Sequence, residues 1–278
     1  MKIPPFEPDP DPWLSLVQSA DSQTVKQALS ASSPELREFA ALISPAADAF
    51  LEPMAHRARQ LTRQRFGQTI SLYVPLYLSN YCSGGCAYCG FASDHEQPRK
   101  KLSMQELEIE LKSLRSLGFE NVLLLTGEKT PEADFDYLRE CVARTAEYFH
   151  NVTVEAFGMT TEEYASLDEA GCTGITLYQE TYDRKLYADV HRWGAKRDYD
   201  FRLGAPGRAL EAGLRSVGMG ALLGLRDPMA ECVSLFQHVE HILKHYWRGG
   251  VMLSFPRMCP HQGDYDPPLL LTTGCCHG

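Results

Sequence analysis

Three cysteines within eight residues, Cys82, Cys86 and Cys89, constrain this chain more than any other stretch. Their spacing is C-x3-C-x2-C, with Gly84 and Gly85 between the first two. Glycine reaches backbone conformations that other residues avoid, so the loop can wrap tightly. The apolar run Ile70 to Leu78 just before it reads as a strand. Three thiolates on one short loop can hold three corners of a cubic iron–sulfur cluster, which four cysteines usually hold. With no fourth ligand nearby, one iron stays open for a small molecule. The alternative is zinc, with His95 as the closing ligand, although zinc sites favour paired C-x2-C spacing. A disulfide would leave one thiol over.

After Gly67 short β-rich runs alternate with longer helical ones, which predicts a parallel α/β architecture. Strands are expected at 70–78, 122–125, 152–157, 174–178, 217–225 and 251–255. Helices are expected at 103–117, where Ser103 and Glu106 form a capping box, at 133–149, 161–170 and 229–246, with a broken helical stretch over 182–212. The polar motifs Thr126-Gly127-Glu128, Gln179-Glu180-Thr181 and Ser254-Phe255-Pro256-Arg257 each follow a strand. In α/β barrels that end of the strands carries the active site.

Before Gly67 the pattern is helical, with starts at Ser33-Pro34-Glu35 and Ser44-Pro45. Residues 46–66 read as a basic amphipathic helix bearing Arg57, Arg59, Arg63 and Arg65 and packing across a barrel. Met1 to Pro12, rich in proline and acid, is expected to be mobile. The expected organisation is a helical extension over 1–67, a partial barrel over 68–257 and an irregular tail over 258–278.

The net charge of −9 argues against a general nucleic-acid or anionic-membrane surface. No apolar run approaches a membrane span, and the first residues lack the pattern of an export signal, so the expected location is the cytoplasm with no membrane partner. Cys141, Cys172 and Cys232 read as small buried hydrophobes. Tyr73 and Tyr77 alternate along the first strand and read as core.

The cysteine stretch, with Tyr88 before the last thiol, resembles the radical S-adenosylmethionine superfamily. Within it the chain is most similar to the tyrosine lyases that make 2-iminoacetate for thiamine thiazole biosynthesis. The ordered segments Leu61 to Gly67, Tyr73 to Asn80, Thr126 to Glu128, Tyr178 to Tyr182 and Ser254 to Arg257 carry that likeness. The resemblance implies a (β/α) TIM-type barrel, a [4Fe-4S] cluster on Cys82, Cys86 and Cys89, and S-adenosyl-L-methionine on its open iron. It implies that Tyr88 packs by the adenine, the backbone at Gly127 and Glu128 holds the amino group, Glu180 takes the ribose hydroxyls and Arg202 pairs with the methionyl carboxylate. On the residues alone, Thr126 to Glu128 reads as a turn with a helix-start acid, Arg202 as a surface ion pair and Tyr88 as core.

Arg257 is implied as the grip on the substrate carboxylate, with a rim or helix-capping arginine as the other reading. The implied reaction cleaves the Cα–Cβ bond of L-tyrosine to p-cresol and 2-iminoacetate, beginning with hydrogen abstraction from the amine nitrogen. The implied partners are thiazole synthase and a flavodoxin-type reductant. A tryptophan or hydrogenase-maturation lyase, and a non-catalytic remnant binding a cluster or zinc, stay open as alternatives.

The ending departs from that pattern. A full barrel takes roughly 250 residues, while 209 run from Ile70 onward. Leu269 to Gly278 matches nothing in the family. Leu271-Thr272-Thr273-Gly274 can be encoded by codons that read Asp-Asp-Arg one base over. The expectation is therefore a shifted or shortened reading frame.

Overall fold

The computed structural model describes residues 3–258 and Tyr265. Its centre is one sheet of six parallel strands: β1 (Tyr73–Tyr77), β2 (Asn121–Leu125), β3 (Asn151–Glu155), β4 (Gly174–Thr176), β5 (Ser216–Gly220) and β6 (Gly250–Ser254). Each strand pairs with the next in sequence, so the order is β1 to β6 without a switch. The architecture is the expected open portion of an α/β barrel, with β1 and β6 as its two edges. The strands are shorter than expected at the first and fifth positions, where pairing stops before the apolar run does.

Register explains the layering. Leu76, Leu124, Val154, Ile175, Val217 and Val251 lie side by side across all six strands. This branched row joins the main core under the helices. The neighbouring row, Tyr77, Leu125, Glu155, Thr176, Gly218 and Met252, points to the opposite face because side chains alternate along a strand. Helices α5 (Met104–Ser116), α6 (Phe135–Ala146) and α7 (Thr161–Glu169) follow the first three strand-to-helix loops. The expected Ser103–Glu106 capping box opens α5, and Thr160 with Glu163 repeats it at α7. Gly118 at φ 89° ends the α5 turn in a conformation that favours glycine.

The broken stretch after β4 resolves into α8 (Arg184–Val190), a 3-10 turn (Ala195–Arg197), α9 (Tyr199–Leu203) and α10 (Ala205–Glu211). The long α11 (Pro228–His245) precedes β6. Of the amino-terminal helices α1 (Asp11–Ser19), α2 (Ser22–Ser30) and α3 (Leu36–Leu42), the first and third share a separate apolar cluster, and α2 packs against α3. In that cluster Val17, Leu36 and Ala40 pack with Val233 of α11, and Phe39 stacks on Phe236 at 4.6 Å.

Three expectations are corrected. Residues 3–10 are pinned rather than loose: Phe6 stacks on His238 at 4.6 Å, Asp9 exchanges two hydrogen bonds with Gln237, and Glu7 takes a two-pronged pair from Arg184. The basic helix begins later, as α4 (Leu51–Phe66) behind a 3-10 turn at Pro45–Phe50. It buries no residue, and its main contacts among the described residues are with α2 and that turn rather than across the barrel. Tyr73 and Tyr77 are 63% and 55% exposed, because β1 is a sheet edge and their face carries no covering layer.

Cys141 and Cys172 are buried as expected, while Cys232 is half-buried. Of residues 258–278, only Met258 and Tyr265 are described, so the expected irregular tail and its reading-frame shift lie outside the described residues. Among the described residues, no helix is long and apolar enough to cross a membrane.

Candidate active site

The cysteine loop leaves β1 and is clasped by the segment that follows α8. Ala87 donates to the Val190 carbonyl at 2.8 Å, Gly85 to Trp193 at 3.1 Å, and Arg192 returns a bond to Gly85 at 3.2 Å. Cys86 and His191 pair as an antiparallel bridge. The approach is close enough that a Cβ on Gly85 would lie 2.2 Å from the Trp193 ring. On the other side the loop meets the β2 turn. Glu128 and Gly84 both direct backbone N–H groups at the Cys82 sulfur, each at 3.4 Å. A Cβ on Gly127 would lie 2.5 Å from the Tyr81 carbonyl oxygen, so this turn needs glycine.

Burial pushes the Cys86 thiol up to about 11, with Lys196 pulling the other way. Burial also raises Cys89. Among the described residues, no three His, Cys, Asp or Glu side chains converge as ligands of a single metal ion. His95 instead turns toward the Gly90 carbonyl at 3.4 Å. A cubic cluster spreads its thiolates over three different irons, so its ligands need no such convergence. The loop therefore suits a cluster better than zinc.

Beside the loop sits a buried set of charges. Glu180 follows β4 and is 7% exposed, as is Arg202 of α9. Lys196, in the 3-10 turn, reaches Glu180 at 2.6 Å. Arg202 lies 3.6 Å from Glu180 and 3.5 Å from Glu128, and its Nε donates to the Tyr178 carbonyl at 2.7 Å. Burial alone would raise the Glu180 carboxyl, but Lys196 and Arg202 outweigh it and hold the group below its usual range. Burial and Arg202 push Lys196 down, but Glu180, Cys86 and Glu128 outweigh them and hold it above its usual value, so the ammonium stays charged.

Glu180 is also the one non-glycine with positive φ, 70°, among the described residues. Such backbone costs on the order of 1–3 kcal/mol and persists where neighbours fix it. Here Glu231 of α11 does so, accepting from the Thr181 hydroxyl at 2.6 Å and the Tyr182 N–H at 2.9 Å.

Tyr88 is held by a short relay. His191 Nδ1 faces the Tyr187 carbonyl at 2.8 Å, an acceptor only, so Nδ1 carries the proton. Nε2 then accepts from the Tyr88 hydroxyl at 2.8 Å. Burial lowers His191 to about 3, which keeps the ring neutral and this arrangement intact.

The structure thus gathers Cys82, Cys86, Cys89, Tyr88, Gly127, Glu128, Glu180 and Arg202 at the carboxyl ends of the strands. Arg202 is no surface ion pair, and Glu128 starts no helix, since α6 begins at Phe135. Arg257 lies on an exposed stretch after β6, bridged through its backbone to Leu223. Sequence reasoning missed Lys196, His191 and Glu231. Their places depend on the clasp between the cysteine loop and residues 190–193, for which no local pattern exists.

A profile of the Radical SAM superfamily matches residues 76–239. The chain is 41% identical to 2-iminoacetate synthase of Salmonella typhimurium over 244 residues, covering 87% of this chain and 65% of that protein. It is also 41% identical to 2-iminoacetate synthase of Escherichia coli, over 89% of this chain and 66% of that protein. The chain thus spans just under two thirds of the length of these relatives. The crystal structure of HydG, a maturase of the [FeFe]-hydrogenase, superposes with a TM-score of 0.84 at 32% identity, over 90% of this chain and 57% of that one.

The superfamily binds a [4Fe-4S] cluster and S-adenosyl-L-methionine, and the residues present fit both. Three free thiols lie on one loop, and buried charges of both signs beside them match a zwitterionic, polyhydroxylated ligand. The superfamily profile covers more than half of the chain, from β1 into α11, and takes in both the cysteine loop and the buried charges: this chain belongs to the Radical SAM superfamily.

Proposed function

We propose that the chain carries the core of a lyase that cleaves the Cα–Cβ bond of L-tyrosine, giving 2-iminoacetate and p-cresol. The observation that carries this reading is 41% identity to two 2-iminoacetate synthases across nearly the whole chain, with the buried set Glu128, Glu180, Lys196 and Arg202 beside the cysteine loop. When bound, the cluster and S-adenosylmethionine supply a 5′-deoxyadenosyl radical that abstracts hydrogen.

The chain's own residues bind and orient. Cys82, Cys86 and Cys89 hold the cluster. Glu180, kept ionised by Lys196 and Arg202, accepts hydrogen bonds from the two ribose hydroxyls. Arg202 pairs with the methionyl carboxylate through a guanidinium already anchored on the Tyr178 carbonyl. The backbone of Gly127 and Glu128 receives the amino group, and Tyr88, fixed by His191, flanks the adenine. Arg257, at the carboxyl end of β6, takes the substrate carboxylate. In this reading the product serves thiamine thiazole synthesis, with thiazole synthase receiving it and a flavodoxin-type protein supplying electrons.

The likeness to HydG favours a second reading, a hydrogenase-maturation type of tyrosine lyase. Anaerobic reconstitution, followed by incubation with S-adenosylmethionine, dithionite and L-tyrosine, tests both. The first predicts 5′-deoxyadenosine with p-cresol and glyoxylate from the hydrolysed imine. Carbon monoxide among the products would favour the second, and 5′-deoxyadenosine without p-cresol would refute tyrosine cleavage.

A further inference from the structure

The sheet face opposite the helices carries one carboxylate in its central strands. Glu155 ends β3, in register with Leu125 on one side and Thr176 on the other. Two residues beyond Thr176, Tyr178 faces the same way, and its hydroxyl lies near enough to Glu155 and to Ser254 of β6 to act on the one and be acted on by the other. The Tyr178 ring reaches across because β5 offers it glycine: a Cβ on Gly220 would lie 2.7 Å from its Cδ1. One row of side chains thus links β3 to β6 across the uncovered face, and it ends three residues before Arg257.

Position relative to the buried charges decides what Glu155 can receive. Glu180, Lys196 and Arg202 are near enough to act on its charge. Glu155 therefore stands where the cofactor set gives way to the open face. Burial raises its carboxyl and Glu180 raises it further; Lys196, Arg202 and Tyr178 oppose them without cancelling the rise. It makes no direct ion pair with a cation among the described residues. A carboxylate so placed is completed by a cationic nitrogen.

We propose that Glu155, oriented by Tyr178, is the residue that binds the α-amino group of the amino-acid substrate. This rests on the amino-acid lyase reading above. It sets the amine beside the buried charges and leaves the side chain of the substrate to extend over Gly218 and the exposed Tyr77 and Met252 edges of the same row. A charge-assisted bond of this kind is worth about 10- to 100-fold in affinity.

The test is equilibrium binding to the reconstituted protein loaded with S-adenosylmethionine, without reductant, so that no turnover occurs. The probes are L-tyrosine, 3-(4-hydroxyphenyl)propanoate, which lacks the amine, and L-phenylalanine, which lacks the phenol. Glu155→Gln keeps the shape and a partner for Tyr178. It is expected to weaken L-tyrosine and L-phenylalanine about 10- to 100-fold and to leave the desamino acid within about twofold. Tyr178→Phe is expected to show the same selectivity at smaller size. Iron content and S-adenosylmethionine binding in each variant report folding.

Equal losses for all three probes would overturn the assignment in favour of a role in shape. A loss confined to the two phenols would overturn it in favour of phenol recognition. Unchanged tyrosine binding would overturn it outright while leaving the lyase reading intact. A wild-type protein that binds none of the probes would overturn the lyase reading, and the assignment with it.

Discussion

Lys196 meets Glu180 at 2.6 Å where both side chains are nearly closed off from water, and this contact ties the clasp of the cysteine loop to the end of β4. Breaking a buried pair leaves one charge without compensation, typically at about 3–5 kcal/mol. Lys196→Met is expected near the lower end, about 3 kcal/mol, because Arg202 stays within 3.6 Å of the carboxylate. Glu180 should become easier to protonate. S-adenosylmethionine affinity should fall at least about 10-fold while iron content holds. Chemical denaturation and dialysis against the labelled cofactor measure both, and unchanged affinity would remove Lys196 from the site.

Gly85 and Trp193 form a testable steric pair. A Cβ at Gly85 would stand 2.2–2.7 Å from three atoms of the indole. Gly85→Ala should cost about 1–3 kcal/mol through overpacking and lower cluster retention. Adding Trp193→Ala should recover most of that loss, since the obstructing ring is gone. Gly90→Ala is the control, with nothing within 4 Å of its new methyl group. A double-mutant cycle with no coupling would show that the clasp does not depend on this contact.

Glu231 fixes the backbone that carries Glu180. Glu231→Ala would leave the buried Tyr182 N–H without an acceptor, at about 1–3 kcal/mol. With Thr181 and Tyr182 released, the positive φ at Glu180 loses its support. S-adenosylmethionine should then bind more weakly than the stability change alone explains. Glu231→Gln should retain one of the two bonds and fall between wild type and alanine in both denaturation and cofactor binding.

His238 makes stability depend on pH. It is buried, stacks on Phe6 and shares a hydrogen bond with the Tyr182 hydroxyl at 3.0 Å, and burial lowers it to about 3. The unfolded chain protonates this ring near pH 6.5, while the native state does not, so protons favour unfolding. Its contribution is therefore present above pH 6.5 and is lost as pH falls from there toward 3, by up to about 1.4 kcal/mol per pH unit. His238→Gln should flatten the slope of urea-unfolding free energy between pH 6.5 and 5. An unchanged slope would mean that the ring titrates normally in the native state.

Much of the fold was legible in the sequence because its signals are local. The alternation of apolar runs with capped helices marks all six strands, and Ser103 with Glu106 marks a helix start that the structure reproduces. The cysteine loop is legible for the same reason, since its thiols and glycines are neighbours in the chain. Lys196, His191 and Glu231 are not, because their meaning arises from contacts between segments up to about a hundred residues apart. Tyr73 and Tyr77 misled because alternation reveals that a strand has two faces and not whether either face is covered.

The amino-terminal segment misled in the opposite direction. Its composition suits a loose tail, but Phe6 finds an aromatic partner on α11 and Glu7 finds Arg184. Two anchors suffice to order a short extended strap that composition alone would leave free.

Cys82, Cys86 and Cys89 are proposed to hold the inorganic centre on which every other role depends. Iron and sulfide analysis with electron paramagnetic resonance, on protein reconstituted and reduced without oxygen, should show about four irons per chain and a cubic-cluster signal that S-adenosylmethionine perturbs. Replacing any one of the three cysteines with alanine should abolish that signal. A wild-type protein that carries no such centre, or a cysteine variant that keeps it unaltered, would contradict the account.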